Sequence, residues 1–166
     1  MKKIALVAFS LFIAFFFSAC NAMLAKMTQK NATQIQHYGA SKSVINELVI
    51  IQHRWQNTPY RLGGVSVSGA DCSGFIQSVF REHFHTQIPR TTTAQLESGV
   101  KIAGNKLKAG DILFFKTGRG PHGLHTGIFV EKDEFIHLST NGGVKRVSMN
   151  SSYWKPKFIG ARRYLR

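Results

Sequence analysis

The chain has 166 residues, with 22 Lys and Arg against 8 Asp and Glu, a formal net charge of +14. One domain of ordinary size fits that length, and 43% hydrophobic with 18% charged residues excludes wholesale disorder. No heptad array or longer repeat occurs, which excludes coiled coils and solenoids, and two cysteines are too few for a disulfide scaffold or a four-cysteine zinc site.

Lys2 and Lys3 precede an apolar run from Ile4 to Phe17, and the small residues Ser18 and Ala19 follow before Cys20. This is the three-part layout of a secretory signal. Spanning a bilayer takes about 20 apolar residues, and the run is shorter. The stretch Phe17-Ser18-Ala19-Cys20 resembles the lipobox of bacterial lipoproteins, in which the cysteine thiol is acylated and becomes the first mature residue. That resemblance implies a signal peptide at 1–19, a lipid on Cys20 and attachment to a membrane without a crossing helix. With Asn21 after the cysteine it implies export to the periplasmic face of the outer membrane.

An oxidising compartment tends to pair thiols. Lipid on Cys20 would leave Cys72 without a partner in the chain, so Cys72 is a candidate reactive thiol. A Cys20–Cys72 disulfide and an inert buried thiol are the alternatives.

Residues 20–40 are polar and weakly periodic and read as a lipidated N-terminus and tether. The remaining domain is 41–166. Val44, Leu48, Ile51 and Trp55 predict a helix that starts at Ser41 or Ser43 and ends at Thr58-Pro59. A loop with Gly63, Gly64 and Gly69 leads to a second helix with Asp71 as N-cap and Phe75, Ile76, Val79 and Phe80 on its apolar face. Thr92 to Glu97 predicts a short third helix. The apolar period then falls towards 2, and 112–115, 126–130, 135–139, 144–148 and 158–164 predict five strands. Helices followed by an antiparallel sheet make an α+β domain.

Cys72 falls in the first helical turn, where the dipole favours thiolate, and a neighbouring imidazole would depress its pKa further. Of the seven histidines, His125 and His137 flank an apparent hairpin. Alternation puts Ile128, Val130, Ile136 and Leu138 on one face, and His125, Gly127, Phe129, Phe135 and His137 on the other. Two registers stay open, and a bulge or twist could serve in place of a register shift. Pairing Ile128 with Leu138 sets His137 opposite Phe129, while pairing His125 with His137 lengthens the turn. A metal site of His122, His125 and His137 is a further alternative, without a nearby carboxylate to support it.

In chain order the sequence carries Thr58-Pro59-Tyr60-Arg61-Leu62-Gly63-Gly64, Asp71-Cys72-Ser73-Gly74-Phe75, Pro89-Arg90-Thr91-Thr92, and the run from Leu107 to Phe115. His125-Thr126-Gly127-Ile128, Phe135-Ile136-His137 and Ala161-Arg162-Arg163 follow. In combination these stretches resemble the NlpC-type papain-like cell-wall cysteine peptidases. The resemblance implies a papain-like core with N-terminal helices on a five-stranded antiparallel sheet. It implies Cys72 as nucleophile, His125 as general base and later acid, and His137 as the polar group that orients the catalytic imidazole. Tyr60 would approach the oxyanion or substrate, and Asp71 and Ser73 would contact the amino end of a stem peptide. The implied reaction is thioester-mediated hydrolysis of an amide in peptidoglycan stems, with no cofactor and no metal.

A wall-binding lipoprotein without chemistry, and an amidase or acyltransferase using the same residues, are the alternative functions. Removing 1–19 takes away Lys2 and Lys3, so 20 basic residues against 8 acidic ones leave +12. That charge suits anionic wall polymer or lipid headgroups. Nucleic acid is excluded by the exported location and the lack of an aromatic-basic motif. Tyr153 and Trp154 read as packing residues, and oligomeric state is not legible.

Overall fold

The computed structural model describes residues 2–119 and 121–165, with side chains at 23–34, 40–119 and 122–165. The signal segment and Cys20 lie outside the described side chains. The chain divides into two compact units, Met1–Ala40 and Ser41–Arg166.

Helix α1 is Lys2–Arg54. It is already helical where the sequence suggested an irregular tether and a start at Ser41 or Ser43. The reason is local: 21–40 holds Ala, Leu, Met, Lys and Gln and no proline, all compatible with helix. The hydroxyls of Thr28 and Thr33 donate back to the carbonyls of Leu24 and Gln29, at 2.6 and 2.9 Å. Among the described residues no helix is long and apolar enough to cross a membrane.

In the second unit, Leu48, Ile51 and Trp55 are buried along one stripe. The short strands β1 (Val65–Ser66) and β2 (Gly69–Ala70) form a small antiparallel ribbon before α2 (Cys72–His83) and α3 (Thr92–Glu97). The main sheet comprises β3 (Val100–Ile102), β4 (Ile112–Lys116), β5 (Leu124–Glu131), β6 (Glu134–Leu138), β7 (Val144–Ser148) and β8 (Phe158–Arg163). Its spatial order is β3-β8-β4-β5-β6-β7, antiparallel throughout.

The five expected strands all form, and β3 makes the sheet six-stranded. Three residues, two of them exposed, are too few to show an alternating pattern in the sequence.

Alternation sorts the sheet's side chains into two layers. Ile112, Phe114, Ile128, Val130, Ile136 and Leu138 meet Phe75, Val79 and Phe80 of α2 and the buried stripe of α1. Leu113, Phe115, Phe129, Phe135 and Ala161 pack with Trp154 on the other face. Each such fully buried side chain contributes about 1.5–3 kcal/mol over its exposed state.

Neither anticipated hairpin register is the one formed. Ile128 pairs with Ile136, Phe129 with Phe135 and Glu131 with Glu134, with an irregularity between Phe129 and Glu131. Lys132 takes a positive φ of 55° in the turn. A bulge at Val130 absorbs the extra residue and permits a tighter turn than either reading assumed. The two histidines become diagonal neighbours on one face, close enough for long side chains to meet.

Candidate active site

Asp71 builds the start of α2. Its Oδ1 accepts from the Gly74 amide at 2.8 Å, the N-cap bond the sequence predicted, and its Oδ2 accepts from the Gly63 amide at 2.7 Å. Arg90 donates to both carboxylate oxygens, at 2.9 and 2.8 Å, and to Ser73 Oγ at 3.1 Å. Burial alone would raise the Asp71 carboxyl, but these donors hold it below the ordinary carboxylate value. A side chain at Gly74 would place its Cβ 2.0 Å from the Gly64 carbonyl, so glycine is required where the loop crosses the helix.

Ser73 Oγ also donates to Asp71 at 3.2 Å, and its carbonyl accepts from Gln95 Nε2 at 3.1 Å. Asp71 and Ser73 are buried, and their polar groups are spent inside the fold. In this network they order the helix start beside Cys72. The arginine of the Pro89-Arg90-Thr91-Thr92 stretch occupies the Asp71 carboxylate.

Cys72 is a free thiol with 2% of its surface exposed. Its Sγ lies 3.8 Å from Thr92 Oγ1. Burial pushes the thiol above its ordinary pKa. The Thr92 hydroxyl and the amides of Thr126 and Ser73 pull it down, and the Asp71 carboxylate pushes it further up. The balance is upward, which works against the thiolate that a helix terminus favours. Desolvation, a tertiary effect, outweighs the helix terminus. One of these amides belongs to Thr126, the residue after His125, so β5 runs directly past the thiol.

His125 and His137 are each 7% exposed, and His125 Nε2 stands 2.9 Å from His137 Nδ1. Gly127 permits this approach: a Cβ there would sit 2.5 Å from the Phe135 ring and 2.7 Å from the Ile136 carbonyl. Burial lowers His125 to about 3, with the charge of His137 adding to the effect. Burial likewise lowers His137 to about 4; a backbone hydrogen bond at Leu138 opposes the shift and the Lys145 charge adds to it. Both rings are therefore neutral near pH 7.

Trp154 is the residue the sequence reading undervalued. Its ring stacks on His125 at 5.5 Å and 30°, and meets His137 edge-on at 4.9 Å and 70°. It comes from the segment between β7 and β8, which has no periodic pattern to place it. Thr92 lies in the Pro89-Arg90-Thr91-Thr92 stretch, and its place at the N-terminus of α3 brings its hydroxyl to the sulfur, a contact no local sequence pattern signals.

Tyr60 is held by a bridge to Ala70, and the Arg61 amide donates to the Ala70 carbonyl at 2.8 Å. Burial pushes its phenol up to about 12, with the charges of Cys72 and Asp71 adding and Arg90 opposing. Tyr60 therefore stays a hydrogen-bond donor at any working pH. Among the described residues no group of three or more His, Cys, Asp or Glu is placed to hold a metal ion.

Two pockets adjoin this cluster. One of about 180 Å³ is lined by His125, His137 and Trp154, and one of about 580 Å³ by Pro59 and Tyr60. They share Thr140 and Asn141.

Residues 57–163 match the sequence profile of the NlpC/P60 family. Over 112 residues the chain is 50% identical to a probable endopeptidase of Haemophilus influenzae, covering 68% of this chain and 70% of that one. Over 111 residues it is 43% identical to the murein DD-endopeptidase MepS/murein LD-carboxypeptidase of Escherichia coli K12, covering 67% and 58%. The fold superposes on an NlpC/P60 family protein from Bacillus cereus with a TM-score of 0.65 and 28% identity. That match covers 74% of this chain and 40% of the longer one.

Proposed function

The chain belongs to the NlpC/P60 family of peptidases, and from that premise we propose that it is a cysteine peptidase cutting amide bonds in the stem peptides of peptidoglycan. The names of its relatives, probable endopeptidase and murein DD-endopeptidase, support that substrate. The observation that carries the chemistry is the 2.9 Å contact between His125 Nε2 and His137 Nδ1. With Nε2 donating to His137, His125 Nδ1 is left as a free base for the thiol.

The reaction starts from a neutral pair. The Cys72 thiol proton passes to His125 Nδ1 as Sγ attacks the scissile carbonyl carbon. The Tyr60 hydroxyl donates a hydrogen bond to the developing oxyanion. His125 then protonates the departing amine, the C–N bond breaks and a thioester remains on Cys72. Water attacks the thioester with His125 as base. The C–S bond breaks, the peptide acid leaves, and the proton returns to sulfur. His137 acts on His125, accepting its Nε2–H and so holding the ring and tautomer that the first step needs.

The N-terminus completes the reading. The lipobox-like stretch ending at Cys20 supports export and acylation of that cysteine, which would tether the enzyme to the periplasmic face of the outer membrane beside its substrate. The intact mass of the mature protein tests this: a diacylglyceryl and acyl addition on a chain beginning at Cys20 supports it, and an unmodified N-terminus contradicts it.

Digestion of purified peptidoglycan tests the activity. The wild-type chain, kept reduced, releases stem fragments and Cys72→Ala releases none. Equal release by both, or none by either, overturns the proposal.

A further inference from the structure

The two pockets beside the imidazoles and Tyr60 share one electrostatic feature. Neither is lined by an aspartate or a glutamate, and each contains one strong cation: Arg119 in the first and Lys145 in the second. Among the described residues neither cation has a carboxylate partner, whereas Arg90, Arg146 and Arg163 are all paired with acidic side chains.

Both cations are exposed but seated. Lys145 pairs with His137 across β6 and β7, and its Nζ lies 3.7 Å from where a Cβ on Gly143 would be. Arg119 follows β4 in a turn whose backbone is tied down. The Arg119 amide donates to Thr117 Oγ1 at 3.3 Å, and the Thr117 and Gly118 amides both donate to the Gly123 carbonyl, at 2.9 and 3.0 Å.

Unmatched cations next to a base that must become positive are unfavourable for the reaction unless the substrate supplies the counter-charge. Lys145 already disfavours charge on His137. A carboxylate brought in by the substrate would cancel that penalty at the moment of reaction. Its hydrogen bonds to Arg119 or Lys145 would also help fix the peptide beside the imidazoles.

We propose that Arg119 and Lys145 are specificity-determining residues that bind free carboxylates of the substrate in these two adjoining pockets, so that the enzyme selects stem peptides with ionised carboxylates over amidated ones. This rests on the peptidase reading above. Stem peptides offer suitable groups in the α-carboxylate of D-glutamate and the carboxylate of diaminopimelate that lies outside the main chain.

The test uses the full chain and four synthetic stem peptides, with each of these two carboxylates free or amidated. Wild type prefers the free form at each position by about tenfold in kcat/KM, the scale of one charge-assisted hydrogen bond. Arg119→Gln brings the ratio for one carboxylate to near one, and Lys145→Gln does so for the other. The change appears in kcat as well as KM, because the carboxylate both binds and offsets charge in the transition state, and Arg119→Lys keeps part of the preference. Lys101→Gln, on the distant edge strand β3, leaves both ratios as in wild type.

Equal wild-type rates on free and amidated peptides overturn this proposal and leave the peptidase reading standing. So do unchanged ratios in both glutamine variants. No Cys72-dependent cleavage of any of the four overturns the peptidase reading and this proposal together.

Discussion

His125 Nε2 and His137 Nδ1 meet at 2.9 Å in a setting nearly closed to water. One proton bridges two nitrogens, and its place on His125 decides whether the other nitrogen of that ring can act as base. His137→Ala removes the acceptor and frees the imidazole to rotate, which is expected to lower kcat by about 100-fold. His137→Gln keeps a carbonyl acceptor and recovers part of that loss. Steady-state kinetics on a defined stem peptide check this, and a His137→Ala enzyme with wild-type kcat contradicts it.

Trp154 supplies the wall that keeps His125 dry. Replacing it with Phe retains a smaller ring, while Ala opens the site to water. Hydration would let the His125 pKa rise towards the ordinary value of about 6.5. The acid limb of the kcat/KM profile is therefore expected to lie well below pH 6.5 in wild type and to move upward in Trp154→Ala, with Trp154→Phe between. Identical acid limbs in all three contradict this role for the indole.

The strand faces were legible in the sequence because side-chain direction alternates strictly, so His125 and His137 had to share a side with Phe129 and Phe135. The cap at Asp71 was equally local. Register was not legible, because it depends on how the chain turns at Lys132 and where a bulge takes up Val130. The state of the sulfur was hidden for a different reason. A helix start can be read from neighbouring residues, but the burial that opposes its effect on Cys72 comes from the assembled domain. Arg90 shows the same limit: its motif was visible, but its partner lies nineteen residues away.

Acid should weaken the fold. The histidines have folded pKa values of about 3 and about 4, against about 6.5 in an unfolded chain. Between pH 6.5 and 4 the unfolded state binds more protons, so stability falls as pH falls through that window and is fully present above it. The Tm of wild type is expected to drop between pH 7.5 and pH 4.5. His137→Gln removes one of the two groups and flattens that dependence. A Tm that is constant or higher at pH 4.5, or a His137→Gln slope equal to wild type, contradicts the assignment.

Burial outweighs the donors around Cys72 and favours the thiol over the thiolate. Alkylation by iodoacetamide is therefore expected to be slow at pH 7 and to accelerate only above the ordinary cysteine value of about 8.5. Thr92→Val removes a donor to the sulfur and shifts the alkylation profile further to alkaline pH. Fast labelling with a midpoint near pH 6 would mean a resting thiolate–imidazolium pair instead.

The covalent intermediate offers the most direct test of whether Cys72 performs the chemistry. Intact-protein mass spectrometry of a stem-peptide digest quenched in acid is expected to show the enzyme heavier by the acyl half of the substrate. Fragmentation should locate that mass on Cys72, and the adduct should vanish on treatment with hydroxylamine. Continued cleavage with no adduct at any time, by wild type and by Cys72→Ala alike, would contradict a thioester mechanism at this cysteine.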